Sequence, residues 1–200
     1  MLQVHSLSFD YGDRPLLQNL DFSLPAGRLL HLRGDNGAGK TSLLKLLAAL
    51  LSPTRGDITW EQRSIHDDRS AWQQMLCFVG HRPGLSPQLS ARENCYYDRH
   101  WRGQGVLDDL FERFNLADLA DIPCGQLSAG QQRRVALLRL AMTDAKIWLL
   151  DEPLVALDED AIALLASCLR EHLDKQGLII MTSHQALPPS LHEHEEYHLS

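Results

Sequence analysis

Short apolar runs alternate with helical patterns along most of this 200-residue chain. Four of the apolar runs predict buried parallel strands, at Leu29–Leu32, Cys77–Val79, Ile147–Leu150 and Leu178–Thr182. Apolar residues at helical spacing predict helices at Thr41–Leu51, Val106–Asn115, Ser128–Met142 and Asp160–Leu173. Because strands alternate with helices, the pattern indicates an α/β fold around a parallel sheet.

The first sixty residues show a different pattern, with short strands separated by turns. Leu2–Phe9 alternates between apolar and polar residues, which predicts a strand, and Leu16–Leu24 is predicted to run back beside it after a turn. Gly56–Trp60 predicts an edge strand. We expect an N-terminal antiparallel β subdomain here. From about Leu89 to Met142 no strand pattern occurs, which predicts an inserted helical subdomain within a single domain spanning 1–200.

One glycine-rich stretch carries a strong chemical signal. The phosphate-loop pattern G-x-x-x-x-G-K-[ST] is matched by the run Gly34-Asp35-Asn36-Gly37-Ala38-Gly39-Lys40-Thr41, between a predicted strand and a predicted helix. Glycines allow backbone N–H groups to surround a phosphate, and Lys40 can reach its β- and γ-oxygens. Thr41, followed by Ser42, offers a hydroxyl to Mg²⁺ at a helix N-terminus. The run therefore predicts a P-loop NTPase fold with a nucleotide site.

Two acidic residues follow the apolar run at 147–150. Ligands bind at the carboxyl ends of parallel strands, and successive side chains diverge there. Asp151 is therefore expected to bind Mg²⁺, and Glu152 to act on an attacking water as general base. Taken alone, the pair also fits a helix cap. The phosphate loop earlier in the chain favours the catalytic interpretation.

Composition and charge exclude several classes of function. A net charge of −7 argues against a nucleic-acid partner, which usually requires a basic surface. No apolar run approaches the ~18 residues of a membrane span, and the start lacks a secretory-signal pattern. We therefore expect a cytosolic chain, with its four cysteines reduced and mostly buried. His192, His194 and His198 predict an acidic solvated tail, with a weak metal site as the alternative.

A second motif narrows the family. Ser128 and Gln131 have the spacing of a capping box, so a helix is expected to begin there. The motif is the run Leu127-Ser128-Ala129-Gly130-Gln131-Gln132-Arg133-Arg134, which resembles the LSGGQ signature of ATP-binding-cassette (ABC) ATPases. The order of aromatic residue, phosphate loop, signature, acidic pair and histidine resembles that family over essentially the whole chain.

The resemblance implies an ATP site with further residues of this chain. Tyr11 matches the aromatic residue that stacks on adenine, and His184 matches the histidine that contacts the γ-phosphate. His81 stands where most of the family has a glutamine that contacts Mg²⁺ and water. A neutral imidazole can accept a hydrogen bond from metal-bound water, whereas its cation would repel Mg²⁺. We therefore expect ATPase activity to fall as His81 becomes protonated.

The resemblance also implies a second subunit. Ser128, Gly130 and the adjacent Gln131 match residues that contact the nucleotide held by a partner, and Ala156–Asp158 matches the loop that couples the two sites. This chain has one copy of each motif. An ATP-dependent head-to-tail homodimer is therefore expected, or pairing with a related cassette.

Within the family, the chain most resembles the ATP-binding subunits of cytochrome c biogenesis haem-export systems. The likeness lies in the Gly-His-x-Pro-Gly-Leu run at 80–85, the signature, the Thr-Ser-His-Gln run at 182–185 and the short segment after it. It implies an ATPase at the cytoplasmic face of the inner membrane, bound to integral membrane permease subunits. That ATPase would power haem transfer to a periplasmic haem chaperone. The coupling surface is expected near His81, including Arg92, Glu93 and Tyr96.

Two other functions stay open from the sequence. One is an ABC ATPase that serves another substrate, such as a lipid, lipoprotein or drug. The other is a soluble non-transport ABC ATPase acting in translation or DNA maintenance. Translation-type members usually carry two cassettes, and repair-type members insert a coiled coil, but no heptad run separates Lys40 from Asp151. A GTPase is disfavoured because the chain has no N-K-x-D motif.

Overall fold

The computed structural model describes residues 1–98 and 104–199, which contain nine strands and six α-helices. The strands are β1 Leu2–Tyr11, β2 Arg14–Leu24, β3 Leu29–Arg33, β4 Arg55–Trp60, β5 Arg63–Ser64, β6 Leu76–Val79, β7 Ile147–Leu150, β8 Leu178–Thr182 and β9 Glu195–His198. The α-helices are α1 Lys40–Leu47, α2 Arg69–Gln74, α3 Ala91–Tyr96, α4 Gln104–Arg113, α5 Ala129–Met142 and α6 Glu159–Asp174. Part of the predicted helical segment, 99–103, lies outside the described residues.

A five-stranded sheet with the order β6-β7-β8-β3-β9 carries the phosphate loop. All four strand pairings in this sheet are parallel, so β3, β7 and β8 end at the same edge. The phosphate loop follows β3, the acidic pair follows β7, and Ser183 follows β8. Parallel pairing thus brings three distant segments together at the edge where ligands bind in such sheets. The α/β prediction is confirmed.

The two faces of the parallel sheet belong to two hydrophobic clusters. Side chains alternate along a strand, so Leu29 of β3 packs in one cluster while Leu30 and Leu32 pack in the other. The first cluster includes apolar residues of α4, α5 and α6. The second includes those of α1 and of the N-terminal strands. Burial of both faces explains why these strands appear in the sequence as uninterrupted apolar runs.

The N-terminal strands form an antiparallel sheet with the order β2-β1-β4-β5. The prediction that Gly56–Trp60 is an edge strand was wrong, because the two-residue β5 pairs with the outer side of β4. Gly56 has φ +78°, and a Cβ there would lie 2.3 Å from the backbone oxygen of His5. Only glycine allows β4 to approach β1 this closely.

Local capping sets several helix boundaries. The predicted capping box at the start of α5 is confirmed, since Ser128 and Gln131 each bond the other's backbone N–H. An equivalent box of Ser90 and Glu93 begins α3. Helix α1 ends at Leu47, earlier than predicted, because Ala49 takes a left-handed conformation with φ +52°.

In the part of the chain that the structure describes, no helix is both long and apolar enough to cross a membrane.

The C-terminal segment forms an edge strand, so the prediction of a solvated acidic tail was wrong. Strand β9 pairs in parallel with β3, with Glu196 opposite His31. Its side chains are mostly exposed, while Tyr197 packs against Phe22 at a ring-centroid distance of 4.9 Å. Backbone pairing does not require apolar side chains, so the polar composition of this strand concealed it.

The four cysteines are free and buried, as predicted.

Candidate nucleotide site

The phosphate loop connects β3 to α1 through glycines in left-handed conformations. Gly37 and Gly39 have φ +89° and +95°, a region that side-chain-bearing residues rarely adopt. A Cβ at Gly39 would also lie 2.6 Å from the side chain of Leu17. The loop therefore requires glycine at this position for both backbone and steric reasons.

Lys40 lies across the inside of the loop, with only 9% of its surface exposed. Its Nζ donates hydrogen bonds to the backbone oxygens of Gly34 at 2.7 Å and Asp35 at 3.0 Å. An ammonium group has three donors, so one N–H remains for an anion bound in the loop. The loop thus positions a buried positive charge where phosphate oxygens are expected to bind.

Thr41 and Asp151 form a pair of oxygen donors at the sheet edge. The Thr41 hydroxyl donates to Asp151 Oδ2 at 2.8 Å, and Thr182 donates to Oδ1 of the same carboxylate at 2.9 Å. Because the Thr41 proton is engaged by Asp151, lone pairs of its Oγ1 are available to a cation. Hydroxyl and carboxylate oxygens are the ligands that Mg²⁺ prefers, so the residues present fit this ion.

Glu152 is buried in a strained conformation next to His184. Its φ is +52°, and its Oε2 accepts a hydrogen bond from the His184 backbone N–H at 3.2 Å. Within the described part of the chain, Oε1 has no hydrogen-bond partner and lies 3.6 Å from His184 Nε2. A buried carboxylate oxygen with this free acceptor capacity suits a general base that receives a proton from a bound water.

One cavity of about 560 Å³ collects most of the predicted catalytic residues. Its lining consists of Leu16, Asn36, Gly37, Gly39, Lys40, Thr41, Ser42, His81, Asp151, Glu152, Val155 and His184. His81 is exposed on the loop after β6 and faces the same cavity as Thr41 and Asp151. A second cavity of about 630 Å³, whose lining includes Trp148 and His172, shares none of these residues.

Several predicted contacts, among them Tyr11 and the signature residues, are absent from the lining of this cavity. Tyr11 is 73% exposed and packs edge-on against Phe9. The signature residues Ser128, Gly130 and Gln131 lie at the start of α5, outside the cavity lining. A Cβ at Gly130 would lie 2.6 Å from the Ala156 backbone oxygen, so the signature packs closely against the loop at Ala156–Asp158.

Asp158 has a local structural role within the chain. Its carboxylate caps α6 by accepting from the Ala161 N–H at 3.0 Å, and it also accepts a hydrogen bond from Arg134 at 3.2 Å. The nucleotide contacts assigned to Tyr11, to the signature and to Asp158 stay predictions.

Sequence reasoning missed two residues that hold the acidic pair in place. Arg133 is 4% exposed and donates to the backbone oxygens of Asp151, Glu152 and Gly80 at 2.7 to 2.8 Å. Burial lowers the pKa of Arg133, and the nearby negative charges of Asp151 and Glu152 oppose that effect. Thr182, the second residue, accepts from the Glu152 N–H at 2.8 Å. The one feature of the sequence that could have pointed to Arg133 is its position in the signature run.

Comparison with known proteins gives consistent matches over this chain. The family described as ABC transporter matches residues 17–155. The Legionella pneumophila protein named cytochrome c biogenesis ATP-binding export protein CcmA is 56% identical over 200 residues, covering 100% of both chains. A protein of the same name from Escherichia coli O6:H1 is 42% identical over 188 residues, covering 94% of this chain and 90% of that one.

Solved structures share the fold. A putative ABC transporter ATP-binding protein from Pyrococcus furiosus superposes with a TM-score of 0.82 at 26% identity, covering 99% of this chain and 96% of that one. A dimeric ATP-binding cassette in a post-hydrolysis state, bound to ADP and Pi, superposes with a TM-score of 0.75 at 24% identity. That second comparison covers 92% of this chain and 88% of the other.

Proposed function

This chain belongs to the ABC transporter family of ATP-binding domains, and from that premise we propose that it is the ATP-hydrolysing subunit of an export complex in cytochrome c biogenesis. The observation that carries this proposal is the 56% identity, over the full length of both chains, to a protein named for that process. The cavity supports it because the predicted phosphate-binding and acidic residues line it together.

The setting that we propose is the cytoplasmic face of the inner membrane, with integral membrane permease subunits as direct partners. The proposed cargo is haem, which the complex would pass to a periplasmic haem chaperone. Family membership supports the partnership with membrane subunits. The sequence likeness at 80–85 and 182–185 supports the more specific cargo.

Within the cavity, each residue has a chemical task in this proposal. Lys40 and the loop N–H groups bind the β- and γ-phosphates, which are ATP's most highly charged part. Thr41 and Asp151 would hold Mg²⁺, which when bound neutralises charge on the phosphate oxygens. Glu152 accepts a proton from the attacking water through Oε1, and His184 lies beside that oxygen to contact the γ-phosphate.

The signature supplies the argument for a second subunit. Ser128, Gly130 and Gln131 begin α5 but do not line the cavity formed by the phosphate loop of their own chain. A head-to-tail homodimer would place the helix N-terminus of one subunit against the γ-phosphate held by the other. A helix N-terminus offers unpaired N–H donors and a positive dipole, which favour an anion.

Complementation of a bacterial strain that lacks its own relative tests the biological role. We expect this chain to restore mature c-type cytochromes, measured by haem staining of gels, and the Glu152→Gln variant to fail. Glu61→Gln is the matched control, since Glu61 is exposed between β4 and β5 and absent from the nucleotide cavity. Restoration by Glu152→Gln, or none by the unaltered chain at equal abundance, would contradict the proposal.

Light scattering of the purified Glu152→Gln variant tests the dimer separately. Removal of the proposed base should slow hydrolysis by about 100-fold or more and preserve the ATP-bound state. We expect this variant to dimerise with ATP and Mg²⁺ and to be monomeric with ADP. A monomer under both conditions would refute the ATP-driven homodimer.

A further inference from the structure

Three potential metal ligands from distant parts of the chain meet beside β9. They are His31 of β3, His194 just before β9, and Glu196 within it, with ligand atoms that all lie within 4.8 Å of one another. None of the three lines the nucleotide cavity. His192 and His198, which the sequence grouped with His194, do not belong to this cluster.

Hydrogen bonds to backbone oxygens assign the protons of both imidazoles. His31 Nε2 lies 3.1 Å from the Ser183 oxygen, and His194 Nδ1 lies 2.8 Å from the Leu191 oxygen. A carbonyl oxygen only accepts, so each of these nitrogens carries the hydrogen in the neutral ring. The opposite nitrogens, His31 Nδ1 and His194 Nε2, are therefore lone-pair acceptors.

Those two lone pairs face a third acceptor. Glu196 Oε1 lies 3.9 Å from His31 Nδ1 and 3.6 Å from His194 Nε2. Glu196 Oε1 accepts a hydrogen bond from Arg33 at 2.9 Å, but neither neutral ring offers it a proton, so the two ring lone pairs that face it are available to a cation. His31 is only 2% exposed, so bulk water cannot surround its ring.

Two neighbouring side chains hold the carboxylate from its exposed side. Arg33 donates to Glu196 Oε1 at 2.9 Å, and His198 Nε2 lies 3.4 Å from Oε2. The hydrogen bond from Arg33 also lowers the pKa of Glu196, which keeps this carboxylate ionised. The ligand oxygen is therefore both charged and oriented.

We propose that His31, His194 and Glu196 bind one divalent transition-metal ion, with Zn²⁺ as the class that fits this donor set. Zinc sites with two histidines, one carboxylate and an open fourth position are a known arrangement. Ligands at zinc bonding distances in a tetrahedron lie about 3.4 Å apart. The two separations from Glu196 Oε1 are 3.6 and 3.9 Å, and all three ligand atoms lie within 4.8 Å of one another, so the side chains must close in around a bound ion. The bonds from both rings to backbone carbonyls match the outer contacts that usually orient zinc-bound histidines.

The place of the cluster gives the metal a structural consequence. A bound ion would fasten β9 to β3 at the register pair His31 and Glu196. Beyond that pair, the Leu199 N–H donates to the Arg33 oxygen at 2.9 Å, and a Cβ at Gly34 would lie 2.5 Å from the Leu199 oxygen. The fastened strand therefore lies directly behind the first residue of the phosphate loop.

Zinc binding to the full-length chain, free of nucleotide and Mg²⁺, tests the proposal. Affinity is measured by competition with a chromophoric chelator, and stability by thermal melting with and without Zn²⁺. We compare the unaltered chain with His194→Ala and with the matched control His192→Ala. His192 is an exposed neighbour whose ring lies near the Pro189 oxygen instead.

We expect one ion per chain, the same affinity in His192→Ala, and an affinity more than about tenfold weaker in His194→Ala. Zinc should raise the melting temperature of the unaltered chain and of His192→Ala, but not that of His194→Ala. Glu196→Gln gives a second ligand removal, and melting in chelator identifies any variant that is not folded. Equal zinc affinity in His194→Ala and the unaltered chain, or no stoichiometric binding, overturns the site while leaving the proposed ATPase untouched.

Discussion

Arg133 donates a hydrogen bond of 2.7 Å to the backbone oxygen of Glu152, the proposed general base. Glu152 has φ +52°, a conformation that costs free energy and persists only when surrounding contacts impose it. The same guanidinium bonds the oxygens of Asp151 and Gly80, so one side chain of the signature helix holds the backbone beside both the acidic pair and His81.

Replacement of Arg133 by lysine should lower turnover without removing ATP binding. The three N–H donors of lysine radiate from one nitrogen and cannot reproduce the fixed guanidinium fork that reaches three separate carbonyls. Unsatisfied buried oxygens would reduce the free energy of unfolding by about 1–3 kcal/mol. We expect kcat to fall by about tenfold or more with KM for ATP unchanged, as measured by steady-state assays at concentrations corrected for folded protein. The exposed Arg28→Lys is the control; kcat equal to that of the control would refute a positioning role.

The hydroxyl group of Thr182 should contribute to both the stability of the fold and its ATPase activity. It is fully buried, donates to Asp151 and accepts from the Glu152 N–H. Thr182→Val keeps the shape but leaves both partners unsatisfied, so we expect loss of about 1–3 kcal/mol of stability and of most ATPase activity. Thr182→Ser should restore both, as followed by urea unfolding and phosphate release. If valine and serine variants hydrolyse ATP equally, the hydroxyl has no such role.

His81 should be replaceable by a neutral side chain but not by a permanent cation. It lines the cavity with Thr41 and Asp151, where a positive charge would repel Mg²⁺. We expect His81→Gln to keep ATPase activity and His81→Arg to lose most of it, as measured by phosphate release at saturating ATP and Mg²⁺. The control is His5→Arg, on the exposed surface of β1; equal activity in His81→Arg and this control would contradict the role.

His172 should destabilise the fold in acid. Its ring stacks on Trp148 at 3.9 Å, and burial lowers its pKa to about 4. Below the unfolded value of about 6.5 the unfolded chain binds a proton that the folded chain excludes, so stability falls as pH drops towards 4. The expected loss from this residue is about 3 kcal/mol.

Urea unfolding from pH 7 to pH 4 measures that loss. His172→Gln removes the titrating ring, so its free energy of unfolding should fall less steeply with decreasing pH than that of the unaltered chain. The carboxyl groups contribute to both slopes and largely cancel in the comparison. Equal slopes would show that His172 does not exclude a proton when folded.

Local chemistry allowed much of this protein to be predicted. The phosphate loop, the acidic pair and the signature each combine particular residue types at fixed spacing, and together they identify the ABC family. The capping box at Ser128 was predictable because both of its partners lie within one helical turn. The four central strands were predictable because burial on both faces demands uninterrupted apolar residues.

The ends of helices and the strands with polar side chains were harder to predict from the sequence. Helix α1 stops early because Ala49 changes conformation, and neither Ala49 nor its neighbours carry a usual stop signal. Strand β9 joins the sheet through its backbone while its side chains stay polar, so its pattern resembled a tail. Hydrophobic patterning identifies what is buried, and an exposed edge strand buries little.

The sequence by itself determined the fold class and the family, and it predicted the residues proposed here to bind and cleave a nucleotide, because all three depend on short motifs and their order. Only the tertiary structure decided that Arg133 holds the backbone of Glu152 and that Thr182 connects the two acids. It also brought His31 to His194, which lie 163 residues apart. Such pairs arise from the register of parallel strands and the packing of one helix against them, and no spacing along the chain encodes either.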